Sequence, residues 1–131
     1  MSVELSMLVY SAGLLLVLVL VQALAGVVAQ GLSPMAGPRD NLPPPKPFQA
    51  RMVRVVNNHR EGLTMFAPLV LAAAAAQVSN HWTVLGAELF FYSRVVHAGV
   101  YLAGVPMIRP LVWAVGLAGT VMVLLALLRV I

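Results

Sequence analysis

Residues 51–78 read RMVRVVNNHREGLTMFAPLVLAAAAAQV, and this stretch decides the fold because a polar stripe runs directly into an apolar segment. The stripe consists of four side chains: Arg51, Arg54, Asn58 and Glu61. Their spacing of i, i+3, i+7 and i+10 brings them into one quadrant of an α-helix. The apolar segment, Leu63 to Val78, is predicted to enter a membrane. Charged groups at the rim of a membrane helix are costly, so the stripe indicates a buried polar site.

The composition is that of an integral membrane protein. Of the 131 residues, 61% are hydrophobic and 9% are charged, whereas soluble domains carry about 25% charged residues. Since one helical crossing takes about 20 residues, a chain of this length is expected to form one domain with at most about four spans. There is no cysteine, so the chain itself offers no disulfide, thiolate nucleophile or Cys-based metal site.

Four apolar segments are predicted to form an all-α, four-helix transmembrane bundle over residues 1–131. The spans are expected at about residues 5–29, 51–78, 83–102 and 111–129, with a Pro-rich loop at 31–49. The six prolines of that loop forbid a continuing helix and favour an extended connection. Two runs of small residues, Ala72 to Ala76 and Gly116 to Gly119, favour close contacts between helices.

The net charge of +4 comes from basic residues near the ends of the spans, a distribution that suits anionic lipid. No basic patch with interleaved aromatic residues is present, so nucleic acid is not an expected partner. With four spans, Arg129 is the only basic residue on the side of the termini. The opposite side carries four: Arg39, Lys46, Arg51 and Arg109. Because basic residues favour the cytoplasmic side, both termini are predicted to face away from the cytoplasm.

The third segment carries a second polar set. Arg94, His97 and Tyr101 stand at i, i+3 and i+7 and therefore share one face of a helix. An arginine and a histidine inside a span need partners, so a functional site is the first interpretation. The alternative is a polar network that only locks helices together, with Glu61 or Glu88 paired to Arg94.

The histidines do not predict a metal site. His59 and His81 are not at ligand spacing to His97, and no carboxylate pair accompanies them. His59 and Arg60 also fall off the polar stripe, at roughly 140° and 120° from Arg54 around the helix. Both are therefore interpreted as interfacial residues rather than as ligand contacts.

Three motifs follow one another along the chain. They are Arg54-x-x-x-Asn58-x-x-Glu61, then Arg94-x-x-His97-x-x-x-Tyr101, and then Arg109 after a Pro-containing turn. Their order and spacing resemble the MAPEG family, the membrane-associated proteins of eicosanoid and glutathione metabolism, and most closely its bacterial members and the microsomal glutathione transferases. The chain departs from the leukotriene synthases at residues 31–34, Gly-Leu-Ser-Pro, where those enzymes carry basic residues.

The resemblance implies a homotrimer in a bacterial inner membrane, with glutathione bound between adjacent subunits. It implies a glutathione-dependent transferase or peroxidase acting on hydrophobic electrophiles that enter from the lipid. The alternative is a non-enzymatic protein, either a lipid-binding module or a small accessory subunit of a larger membrane complex. In that case the polar stripes only lock helices together.

The resemblance also suggests roles for the polar residues. Five are expected to bind glutathione: Arg51, Arg54, Asn58, Glu61 and His97. Three are expected to be catalytic: Arg109, Arg94 and Tyr101. An arginine takes a glutathione carboxylate and Glu61 takes the ammonium group through charge-assisted hydrogen bonds. Arg109 is the first candidate for stabilising the thiolate, because a nearby guanidinium favours the charged form of a thiol.

Overall fold

The computed structural model describes all 131 residues, and every regular element in it is an α-helix. Four helices are long: α1 (Val3–Gln30), α3 (Pro47–Ala75), α4 (His81–Leu102) and α5 (Ile108–Leu127). One is short, α2 (Leu32–Ala36). The predicted all-α class is confirmed.

The Pro-rich segment is more helical than the extended loop expected at residues 31–49. The helix α2 occupies Leu32–Ala36, and α3 begins at Pro47 rather than near residue 51. Pro34 and Pro47 both lie in the first turn of a helix, where the missing backbone N–H costs no hydrogen bond. Apart from Gly31, the non-helical part of this segment is therefore confined to residues 37–46.

A polar cluster fixes the turn between α3 and α4 against the start of α1. The Asn80 side chain accepts hydrogen bonds from the backbone N–H groups of Trp82 and Thr83, which caps α4. The hydroxyls of Ser79 and Thr83 both donate to one carboxylate oxygen of Glu4, and the Ser79 bond is 2.8 Å long. The turn and the first helix are thus held together at the end of the protomer opposite the α4–α5 turn.

The helices α4 and α5 make the most extensive helix pair, and two glycines allow their backbones to meet. Gly86 and Gly119 lie face to face, so a methyl group on either would collide with the carbonyl oxygen of the other. The small-residue run Gly116 to Gly119 therefore serves a contact within the protomer. In the run Ala72 to Ala76, only Ala73 is buried.

The core consists of two apolar clusters at different heights along the helices. The first contains Met7, Phe66, Val70, Ala87, Phe90 and Val123. The second contains Leu18, Met52, Val55, Val56 and Ala98. Five buried polar residues fall between the two clusters by their positions along α1, α3 and α4: Ser11, His59, Ser93, Arg94 and His97. The protomer therefore has a polar layer within an apolar core.

The outer surface of the protomer is strongly apolar. Both α1 and α5 are long and apolar enough to cross a membrane. On α1, Leu16, Leu20 and Leu24 follow one another at every fourth residue, and each is more than half exposed. Such a stripe is unfavourable in water, so this face of α1 meets lipid or another protein.

Candidate functional site

Four of the predicted site residues line one small cavity. The cavity has a volume of about 290 Å³. Asn58 comes from α3, His97 and Tyr101 come from α4, and Arg109 comes from the first turn of α5. Pro110 and Trp113 of α5 complete the wall. The structure therefore brings Asn58, from the first motif, together with His97, Tyr101 and Arg109 from the two later motifs.

Aromatic stacking holds Arg109 at this cavity. The guanidinium carbon of Arg109 lies 4.6 Å from the centre of the Tyr101 ring, a cation–π contact. The Tyr101 ring in turn lies 5.7 Å from the His97 ring, tilted by 48°. Arg109 forms no ion pair within the protomer, so its charge is available to a ligand in the cavity.

Arg94 does not line the cavity but bonds to one of its lining residues, Asn58, from inside the protomer. It is 3% exposed, its Nη1 donates to Oδ1 of Asn58, and its guanidinium carbon lies 5.3 Å from the centre of the Phe90 ring. Gly62 of α3 and Gly116 of α5 make room for it, since a Cβ on Gly62 would lie 2.6 Å from Nη2 of Arg94. The Arg94 side chain is thus buried against three helices and orients the Asn58 amide.

The helix-locking alternative offered Glu61 or Glu88 as a partner of Arg94, and the structure shows neither pair. The hydrogen-bond partner of Arg94 is the Asn58 amide, and neither carboxylate lies within ion-pair distance of the guanidinium. Glu61 is on the exposed side of α3, and Glu88 faces a separate groove between α4 and α5. The helices α3, α4 and α5 bury Arg94 within one chain, without a neighbouring copy.

The remaining stripe residues border the cavity without lining it. Nη1 of Arg51 donates to the backbone carbonyl of Leu102 at 3.4 Å, so Arg51 contacts the end of α4. Arg54 and Glu61 are exposed and bond to no other side chain in the protomer. They precede and follow Asn58 by about one turn of α3, so their charges lie beside the cavity on the surface of this helix.

His59 is buried rather than interfacial, contrary to expectation. It is 3% exposed, and its Nε2 lies 2.8 Å from the carbonyl oxygen of Ser11 in α1. His59 continues the buried stripe of Met52 and Val56, which precede it by seven and three residues. That helical spacing is the signal in the sequence for its burial. The imidazole joins α1 to α3 and does not line the cavity.

Trp113 is a cavity residue that the motifs did not identify. It follows Arg109 by four residues and therefore lies one turn further along the same face of α5. Its ring adds a further aromatic surface to the wall that already contains Tyr101. The spacing Arg109-x-x-x-Trp113 is the signal in the sequence that points to it.

Comparison with known proteins gives one match. Residues 7–129 match the model of the MAPEG family, a range that includes all three motifs and reaches all four long helices. No curated protein and no solved structure matches the chain at a significant level.

Proposed function

Because the chain belongs to the MAPEG family, we propose that it is a membrane-embedded, glutathione-dependent transferase or peroxidase acting on hydrophobic electrophiles. Family membership supports a membrane-associated function in glutathione or eicosanoid metabolism. The observation that carries the finer proposal is the Arg109 guanidinium, which is stacked on Tyr101 at the cavity and has no counter-charge in the protomer.

The groups in and around the cavity suit glutathione, which carries two carboxylates and one ammonium group. In the proposed complex, Arg54 binds a carboxylate, Glu61 binds the ammonium group, and Asn58 binds a peptide group through charge-assisted and neutral hydrogen bonds. Arg51 adds a second cation at the end of α4, and His97 adds a ring nitrogen in the cavity wall. Each charged end of glutathione is thus paired with a side chain of opposite charge.

The proposed chemistry depends on the glutathione thiolate. A guanidinium beside the sulfur favours the charged form and lowers the pKa of the thiol, and Arg109 supplies that charge. Tyr101 acts as a hydrogen-bond donor to the sulfur. The thiolate sulfur forms a bond to the electrophilic carbon of the second substrate while the leaving group departs with its electron pair. Arg94 acts through Asn58 and is a positioning residue in this mechanism.

A homotrimer of four-span protomers is part of the proposal. Arg54 and Glu61 are exposed on α3 and have no partner in the protomer. Charges facing lipid are costly, so a neighbouring copy that covers this face completes the site. A native mass spectrum in detergent is expected to show three times the 13.9 kDa of one chain. Monomer alone, with no larger species after crosslinking in membranes, would remove the trimer.

The proposed location is a bacterial inner membrane with both termini away from the cytoplasm. Its support is the excess of basic residues in the loops and adjoining helix ends on the opposite side: Arg39, Lys46, Arg51 and Arg109, against Arg129 alone. Cysteines introduced at Ser2 and Ser33 can be labelled with an impermeant maleimide in intact cells. Labelling at residue 2 alone agrees with this orientation, and labelling at residue 33 alone reverses it.

Calorimetric titration with glutathione in detergent tests the proposed binding site. Arg54→Ala and Glu61→Ala are each expected to weaken glutathione binding by about 1.5–3 kcal/mol, the scale of a lost charge-assisted hydrogen bond. Arg129→Ala removes a cation at the other end of the protomer and is the matched control, expected to bind like wild type. Wild-type protein that shows no binding at millimolar glutathione contradicts the proposal.

The non-enzymatic alternative is supported by one observation. The hydrogen bond from Arg94 to Asn58 joins α4 to α3 inside the protomer, as expected of a network that locks helices together. In a lipid-binding protein or an accessory subunit of a larger membrane complex, the buried polar residues need only hold the helices together. The same titration separates the two functions, together with an assay for conjugation of glutathione to a chlorodinitrobenzene-type electrophile.

A further inference from the structure

Glu88 is a carboxylate without a partner on the outer side of α4. It follows the first residue of α4 by seven positions, which corresponds to about 10 Å along the helix. It forms no ion pair and no side-chain hydrogen bond in the protomer. An ionisable group at that depth in a membrane helix is costly unless something compensates its charge. Arg94, the cation closest to it along α4, is turned inward and bonded to Asn58.

Glu88 lies in the wall of an apolar groove between α4 and α5. The groove has a volume of about 480 Å³, within the range of small-molecule pockets. Its aliphatic wall consists of Leu85, Leu89, Val96, Val112 and Val115. Apart from Glu88, the polar residues in the wall are Tyr92 and Ser93, and the Ser93 hydroxyl already donates to the Phe90 carbonyl at 2.8 Å. Glu88 is therefore the one charged group in an aliphatic groove.

Tyr92 adds an aromatic surface beside the carboxylate. It follows Glu88 by one helical turn, and its side chain is 57% exposed. The face of an aromatic ring attracts cations, and this attraction strengthens where water is excluded. One negative charge, one aromatic ring and several aliphatic side chains together match a ligand with one positive charge and a hydrophobic body.

We propose that the groove between α4 and α5 binds a lipophilic organic cation, an amine or onium amphiphile, with Glu88 as its counter-charge. Such a cation enters from the lipid, into which its hydrophobic body partitions. The groove shares no lining residue with the cavity of Asn58, His97, Tyr101 and Arg109. The proposal therefore goes beyond the glutathione-dependent function and does not depend on it.

A pair of hydrophobic ions of equal size and opposite charge tests this proposal. The full-length protein is placed in nanodiscs of phosphatidylcholine, and the binding of tetraphenylphosphonium and of tetraphenylborate is measured against empty nanodiscs. Saturable binding of the phosphonium with no saturable binding of the borate is expected. Glu88→Gln is expected to lower the phosphonium affinity by at least about tenfold, since the counter-charge is lost. Asp40→Asn removes a carboxylate from the exposed loop and is expected to bind like wild type.

A second variant distinguishes the contribution of the groove to phosphonium binding from that of the Glu88 charge. Val115→Trp fills the groove and keeps Glu88, and it is expected to abolish saturable phosphonium binding while the helical circular dichroism stays that of wild type. The proposal is overturned if wild type binds neither ion, if it binds both equally, or if Glu88→Gln keeps the wild-type affinity. It is also overturned if Val115→Trp changes the mass of the native assembly, because the groove is then covered by a second copy of the chain.

Discussion

Replacing Arg109 by alanine is expected to abolish the ultraviolet absorbance of the glutathione thiolate while leaving glutathione affinity nearly intact. The reason is the position of Arg109 in the cavity on the Tyr101 ring, whereas the charges proposed to bind the ends of glutathione lie on α3. Losing one preorganised electrostatic group typically lowers a rate by about 10²–10³-fold. Difference spectra of the protein with saturating glutathione, together with the rate of conjugation, measure both effects.

Two further variants refine this test. Arg109→Lys keeps a positive charge but loses the planar guanidinium that stacks on Tyr101, so an intermediate thiolate absorbance is expected. Tyr101→Phe keeps the ring under Arg109 and removes only the hydroxyl, so it separates stacking from hydrogen bonding. A full thiolate band in Arg109→Ala would show that another group ionises the thiol and would end the proposed role of Arg109.

The sequence predicted which residues share a helix face, because that depends on helical periodicity alone. Arg94, His97 and Tyr101 stand at i, i+3 and i+7; in the structure His97 and Tyr101 line the cavity, and Arg94 bonds to its lining residue Asn58. The position of Arg109 after a short turn placed it at the same end of α4 as Tyr101. For these residues, spacing along the chain was sufficient to predict which side chains lie on one face of α4 and which end of α4 Arg109 is near.

The partners of the buried charges could not be predicted from spacing. Which way Arg94 turns depends on the space left by Gly62 and Gly116, two residues on other helices. The Arg94 guanidinium occupies that space and bonds to Asn58, whereas Glu88 lies in a separate groove between α4 and α5. The rotation of one helix against another is set by the packing of many side chains and cannot be predicted from a single motif.

The Pro-rich connection shows a different limit of the sequence. The prolines of residues 31–49 were interpreted as forbidding a continuing helix and favouring an extended connection, but a proline in the first turn of a helix loses no hydrogen bond. Pro34 and Pro47 lie at such positions, in α2 and α3. Whether a proline ends a helix or begins one depends on its position relative to the first turn, and the number of prolines does not predict that position.

Replacing Gly119 by leucine is expected to push α4 and α5 apart and to lower the thermal stability of the protein. A Cβ on Gly119 would lie 2.9 Å from the backbone nitrogen of Phe90 and 3.1 Å from Cβ of Leu89, and it would collide with the carbonyl oxygen of Gly86. Because two of these neighbours are backbone atoms, the clash is relieved only by moving the helices apart. Overpacking of this kind lowers the free energy of unfolding by about 1–3 kcal/mol and occasionally more. Because the clash is with backbone atoms, we expect the effect of Gly119→Leu to lie at the upper end of this range.

Gly99→Leu is the matched control for this variant, since a Cβ on Gly99 meets nothing within 4 Å. Both substitutions add the same side chain to a membrane helix, so only the packing differs. Thermal unfolding followed by size-exclusion chromatography in detergent is expected to give wild-type behaviour for Gly99→Leu and early aggregation for Gly119→Leu. Because α4 carries Tyr101 and α5 carries Arg109, displacing the two helices is also expected to lower the thiolate absorbance of bound glutathione. Equal thermal stability of the two variants would mean that Gly86 and Gly119 do not meet in the membrane.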